Sequence, residues 1–94
     1  MTICFILGTR PEIIKLSPLI RRLHSEGSSY FIVHSGQHYS HLLDNALFID
    51  LQLPEPKYNL KIGSGSHAKQ TGKMMINIES ILIAEKPSIV IVQG

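Results

Sequence analysis

Arginine and lysine set among turn-forming and cap-forming residues can hold an anion, and Gly8-Thr9-Arg10-Pro11-Glu12-Ile13-Ile14-Lys15 has that make-up. An apolar run stops at Gly8 and an amphipathic run begins, so the segment reads as a strand end, a tight turn and a helix start. Thr9 and Glu12 have capping-box spacing, in which hydroxyl and carboxylate each take a backbone N–H that the first helical turn cannot satisfy itself. Pro11 fits the same turn, where its missing N–H costs nothing. Such a turn is expected to point free N–H groups and the positive end of a helix dipole outward, with Arg10 and Lys15 adding two full charges beside them. Phosphate is the anion this chemistry suits. Each residue also has a plainer assignment: Thr9, Pro11 and Glu12 as caps alone, Arg10 as a packing residue of the turn, Lys15 as a solvated charge.

The elements that must position these groups follow from the patterning. Thr2 to Leu7 is apolar without alternation, as in a strand covered on both faces. The helix from about Pro11 carries Ile13, Leu16, Ile20 and Leu23 on one stripe, and Gly27 closes it. Pro18 removes the bond to the Ile14 carbonyl, which predicts a kink near Ser17. Tyr30 to His34 is a second buried strand, ending in Ser35-Gly36-Gln37-His38. Ser40 should cap a helix bearing Leu43, Ala46, Leu47 and Phe48, followed by an irregular connection from Leu53 to Leu60; Tyr58 to Ile62 is at best a weak, polar strand. Ala68 to Lys86 is the clearest helix, with Thr71, Met74, Met75, Ile78, Ile81 and Leu82 at three-four spacing and the methionines expected in the core. Pro87 stops it, and Ser88 to Val92 is a strand dense in β-branched residues. This order predicts an α/β fold, a Rossmann-like parallel sheet with flanking helices. Parallel strands share a direction, so the loops at Gly8 to Arg10, Ser35 to His38 and Gly94 should emerge at one sheet edge, where such proteins bind ligands. That convergence makes Gln37 and His38 candidate ligand contacts alongside Arg10.

The chain has 94 residues, enough for one small domain, and nine basic against seven acidic residues give a net charge of +2 without any like-charge block. That balance argues against nucleic acid as a partner. The one cysteine, Cys4, lies inside the first apolar run and reads as a buried thiol in a reducing compartment. No run approaches the ~20 apolar residues of a membrane span, so a cytoplasmic protein without membrane contact is expected. Gly63-Ser64-Gly65-Ser66-His67-Ala68 fits the loose dinucleotide fingerprint but does not follow the first strand, and Gly72-Lys73 lacks both the opening glycine and the hydroxyl of a P-loop. The misplaced fingerprint gives no reason to expect a nicotinamide cofactor, and His38 and His41, with no third ligand nearby, give none to expect a metal.

The stretches Gly8 to Leu19, Gly36-Gln37-His38 and Lys86-Pro87-Ser88-Ile89-Val90-Ile91-Val92-Gln93-Gly94 resemble the N-terminal part of the non-hydrolysing UDP-N-acetylglucosamine 2-epimerases, and Tyr58 to Gly65 is similar to the archaeal branch. The resemblance covers the whole chain. It implies residues 1–94 of a Rossmann-like UDP-sugar-binding domain within a two-domain, GT-B-like fold. It further implies an isomerase that interconverts UDP-N-acetylglucosamine and UDP-N-acetylmannosamine, without cofactor or metal, as a homodimer when full length. UDP is eliminated to a 1,2-unsaturated glycal and added back with C2 inverted. On that resemblance Arg10 and Lys15 are catalytic, and Gly8, Thr9, Arg10, Pro11, Lys15, Gln37 and His38 contact the UDP-sugar. The family's catalytic carboxylates and a histidine would follow Gly94, so residues 1–94 alone are expected to lack turnover. Gln37 and His38 fit the regulatory UDP-N-acetylglucosamine site of bacterial members, whereas Tyr39 and the Gly63 to Ser66 turn depart from it. A nucleotide-sugar-binding module without chemistry, or the donor-binding part of a GT-B-type glycosyltransferase, is the alternative reading.

Overall fold

The computed structural model describes residues 1–36, 41–63 and 65–93. Four parallel strands, β1 (Thr2–Leu7), β2 (Ser29–His34), β3 (Tyr58–Asn59) and β4 (Ile89–Val92), lie in the order β3-β2-β1-β4. Between them run α1 (Arg10–Ser25), α2 (His41–Asp50) and α3 (His67–Glu85). The chain steps outward from β1 through β2 to β3, then crosses back to the far side of β1. Right-handed crossovers therefore require α3 on the opposite face of the sheet from α1 and α2. The packing agrees. Ile3, Phe5 and Leu7 of β1, with Ile32 of β2, pack against Ile13, Leu16 and Ile20 of α1 and Phe48 of α2. Cys4, Phe31 and Val33 face Ile81 of α3, with Ile6 and Leu82 beside them. Burying each large side chain of the first cluster contributes roughly 1.5–3 kcal/mol, so that face anchors the fold.

Local chemistry sets the helix ends. Glu26 caps α1, and the Gly27 and Ser28 N–H groups donate to the His24 and Leu23 carbonyls at 3.1 and 3.0 Å, closing a Schellman motif. α1 continues past Pro18 as one helix. Pro18 cannot donate to the Ile14 carbonyl, but the Ser17 hydroxyl does so at 2.8 Å, which keeps that acceptor satisfied. Ser66 caps α3, its hydroxyl accepting from the Lys69 N–H at 3.2 Å, and Lys86 closes the helix in the left-handed region at φ 49°. The cap expected at Ser40 lies outside the described residues.

The weak, polar strand read at Tyr58 to Ile62 forms but is shorter: Tyr58 and Asn59 make β3 and pair with Val33 and His34. The ladder continues beyond it, with the Leu60, Ile62 and Gly63 N–H groups donating to the carbonyls of His34, Ser35 and Gly36. The α3 methionines are not core, which corrects that expectation. Met74 is half-buried and Met75 is 67 % exposed, because Ile81 and Leu82 take the sheet-facing stripe. Met74, Met75 and Ile78 instead line an open apolar trough of about 540 Å³ along the helix.

Candidate functional site

All four strand ends lie at one edge of the sheet, because the strands are parallel. The β1–α1 turn, the β2 exit at Ser35–Gly36, the β3 exit leading to Ser66, and Gln93 after β4 therefore share that edge. The β3 exit is an addition to the loops expected there. Gly8, Glu12, Ser35, Gln93 and Met74 line a cleft of about 160 Å³ at this edge. A Cβ on Gly8 would stand 1.9 Å from the Ser35 Oγ, so only glycine lets the β1–α1 turn sit this close to the β2 exit. At Gly36 the backbone has φ +75°, and a Cβ would lie 2.7 Å from the Lys61 backbone. Gly36 thus brings the β2 and β3 exits together.

The capping box forms as its spacing predicts, and it changes what the turn offers an anion. Glu12 Oε1 accepts from both the Gly8 and Thr9 N–H groups at 2.9 Å, and the Glu12 N–H donates to Thr9 Oγ1 at 3.4 Å. The Gly8 and Thr9 amides are therefore not free to point outward, which corrects the expectation of an open amide cradle. Pro11 has no N–H, so the Arg10 N–H is the donor left in that turn among the described residues. Positive charge at the edge must come from side chains. Arg10 opens α1 with its side chain half-exposed, and its Nε lies 3.7 Å from Asp44 Oδ1. Lys15 is exposed, and five helical residues place it about 140° round α1 from Arg10. The two cations do not stand side by side. Gln37 and His38 lie outside the described residues.

Behind Arg10 is a buried polar group that sequence reasoning missed. Asp44 of α2 is 3 % exposed and His34 of β2 is 1 % exposed, with His34 Nε2 3.3 Å from Asp44 Oδ2. The Gly36 N–H donates to His34 Nδ1 at 2.9 Å, so that nitrogen must be unprotonated and the ring proton sits on Nε2, facing the carboxylate. Burial holds the His34 pKa below its ordinary value, against the opposing pull of Asp44 and Glu12. The ring is thus a neutral donor. A signal was available: Asp44 occupies the stripe of α2 that Phe48 continues one turn later, a carboxylate where an apolar residue would be routine.

Elsewhere the polar contacts are structural. Lys57 and Tyr58 both reach Glu85 Oε2, at 2.5 and 2.6 Å, and tie β3 to the end of α3. Lys57 is the leading cause of the lowered Glu85 pKa. Among the described residues no cluster of His, Cys, Asp and Glu could hold a metal, and no helix is long and apolar enough to cross a membrane.

Residues 21–94 match the family model described as UDP-N-acetylglucosamine 2-epimerase. The chain is 57 % identical over its whole length to the UDP-N-acetylglucosamine 2-epimerase of Methanocaldococcus jannaschii, of which it covers 26 %. It is 38 % identical to the UDP-2,3-diacetamido-2,3-dideoxy-D-glucuronate 2-epimerase of Pseudomonas aeruginosa, covering all of this chain and 27 % of that one. The crystal structure of the Methanocaldococcus jannaschii enzyme in complex with UDP-GlcNAc and UDP superposes with a TM-score of 0.94 over 100 % of this chain and 26 % of its own. The chain therefore spans about a quarter of the length of the curated relatives it matches. The family model matches 21–94, most of the chain, and the parallel sheet fits it: the chain belongs to the UDP-N-acetylglucosamine 2-epimerase family.

Proposed function

We propose that residues 1–94 form the N-terminal portion of a UDP-sugar-binding domain in a non-hydrolysing UDP-N-acetylglucosamine 2-epimerase, an isomerase acting on UDP-N-acetylglucosamine and UDP-N-acetylmannosamine. The reaction removes the C2 proton and breaks the C1–O bond to UDP, leaving a double bond between C1 and C2. UDP then returns to C1 while a proton reaches the other face of C2. Negative charge grows on the diphosphate as the C1–O bond breaks, so a cation fixed beside it stabilises the transition state more than the ground state. The observation that carries this reading is Arg10, placed by a capped helix start at the common edge of four parallel strands, with its Nε 3.7 Å from Asp44 Oδ1. Its two terminal nitrogens make no hydrogen bond among the described residues. They form a planar fork suited to two phosphate oxygens.

Gly8 and Thr9 contribute by close backbone approach, Pro11 by fixing the first turn, and Lys15 by long-range charge. Gln37 and His38 complete the sugar-nucleotide contacts. The 57 % identity to an archaeal UDP-N-acetylglucosamine 2-epimerase supports this substrate over the diacetamido-glucuronate of the 38 % relative. It equally supports an epimerase over a glycosyltransferase donor domain.

The test is Arg10→Ala in the full-length enzyme. Loss of one preorganised electrostatic contact costs on the order of 10²–10³ in turnover, and Arg10→Lys should recover only part of it. A folded Arg10→Ala enzyme of unchanged turnover and lowered melting temperature would assign Arg10 to packing and end this reading.

A further inference from the structure

We propose that Asp44 is a positioning residue: its buried carboxylate, aligned by His34, holds the Arg10 guanidinium at the strand edge so that its terminal nitrogens face the diphosphate. The inference rests on the reading that Arg10 contacts that diphosphate.

A carboxylate that is 3 % exposed is costly to keep, and an apolar residue of similar size would serve α2 packing better. What Asp44 has instead is a division of labour between its oxygens. Oδ2 faces His34 Nε2 at 3.3 Å, and Oδ1 faces Arg10 Nε at 3.7 Å without a hydrogen bond among the described residues. His34 cannot neutralise the carboxylate. Its Nδ1 is committed to the Gly36 N–H, which leaves one ring proton for Asp44 and no positive charge. Burial also keeps the His34 pKa below its ordinary value. Among the described residues Arg10 is the cation that faces this carboxylate. The Phe48 ring lies tilted beside the His34 ring, with centroids 6.2 Å apart. A chain of contacts runs from the Gly36 N–H through His34 and Asp44 to Arg10, and it couples the β2 exit loop to the β1–α1 turn. Pairing through Nε is the useful arrangement, since a carboxylate gripping both terminal nitrogens would compete with the substrate for them.

The experiment measures kcat and KM for UDP-N-acetylglucosamine on full-length Asp44→Asn, Arg10→Ala and the double variant. Asparagine keeps the shape and one acceptor for His34, and puts an uncharged NH2 donor in place of the oxygen that faces Arg10. Asp44→Asn should lower kcat/KM on the order of 10–100-fold, the size seen when a group that orients a ligand-holding side chain is lost. The double variant should be no slower than Arg10→Ala alone, because Asp44 acts only through Arg10. Asp44→Ser, smaller and unable to clash, should repeat the loss and guards against misfolding of the asparagine variant. A kcat/KM at the wild-type level for Asp44→Asn, or losses that multiply in the double variant, would overturn the positioning role. An Arg10→Ala enzyme with full turnover would instead overturn the reading of Arg10 itself.

Discussion

Gly8→Ala tests the contact on which the strand edge is built. Gly8 is not in a left-handed conformation, so an alanine there meets no backbone strain and any cost comes from space. Its Cβ would lie 1.9 Å from Ser35 Oγ and 3.2 Å from Ser35 Cβ. Relief by moving the backbone is blocked, because the Ser35 N–H donates to the Leu7 carbonyl at 2.8 Å and the Ser35 carbonyl accepts from Ile62 at 3.0 Å. The side chain must therefore rotate. Overpacking of this kind typically costs 1–3 kcal/mol, so about 2 kcal/mol is expected from urea unfolding of the full-length enzyme. Ser35→Ala removes the colliding oxygen and leaves only the 3.2 Å contact. The pair should then be less destabilised than the sum of its single variants by about 1 kcal/mol or more. A Gly8→Ala protein as stable as the wild type would refute the close approach, and strictly additive single and double variants would refute Ser35 as its cause.

Ser17→Ala should destabilise the protein by about 1 kcal/mol, because the Ile14 carbonyl, already denied a donor by Pro18, loses the 2.8 Å bond from the Ser17 hydroxyl; an unchanged urea midpoint would show that water replaces it. Cys4 is fully buried, and burial, with a smaller push from Glu85, raises its thiol pKa to about 11. Iodoacetamide at pH 8 should leave it unmodified until the protein is unfolded, and rapid labelling of the native state would contradict its place in the sheet. The folded-state pKa of His34 is lowered from 6.5, so between the two values the unfolded chain binds more protons. Stability from this group is then complete above about pH 6.5 and falls as pH drops below it. The difference in unfolding free energy between wild type and His34→Gln should shrink from pH 7 to pH 5; a difference that grows on acidification would mean that His34 is charged in the fold.

The elements that sequence makes legible are those in which local chemistry and burial agree. β1, β2, α1 and its capping box all carry an apolar run or stripe closed by glycine, threonine or proline at the required place. β3 reads as no more than a weak strand because two residues, Tyr58 and Asn59, carry no periodicity, and their strand character comes from pairing with β2, a tertiary fact. The register of α3 escapes for a related reason. Its apolar residues cover more than one face, so spacing alone does not decide whether Met75 or Ile81 meets the sheet. At the site, Arg10 is visible because a guanidinium in a strand-to-helix turn is unusual. Asp44 is not, because its meaning depends on His34 of β2 and Arg10 of α1, distant in sequence and adjacent only when both helices pack on the same sheet face.

The charge around Arg10 decides what kind of anion site this is. A strand-to-helix turn usually attracts phosphate through open amides and the helix dipole, but here the Glu12 carboxylate already occupies the Gly8 and Thr9 amides. Asp44 adds a second negative charge behind the guanidinium. Against Arg10 and the more distant Lys15, these two carboxylates leave little net positive field at the edge, and solvent screens what remains. Binding by field alone would then be weak. On the proposed role of Arg10, a diphosphate would instead be held by direction, through donors of fixed geometry such as the two terminal nitrogens of the guanidinium fork. The same reasoning explains why Arg10→Lys is a sharper probe than a charge count suggests. It leaves the field almost unchanged and removes only the fork, so a lysine enzyme close to the alanine one would identify geometry, and not charge, as what this edge contributes.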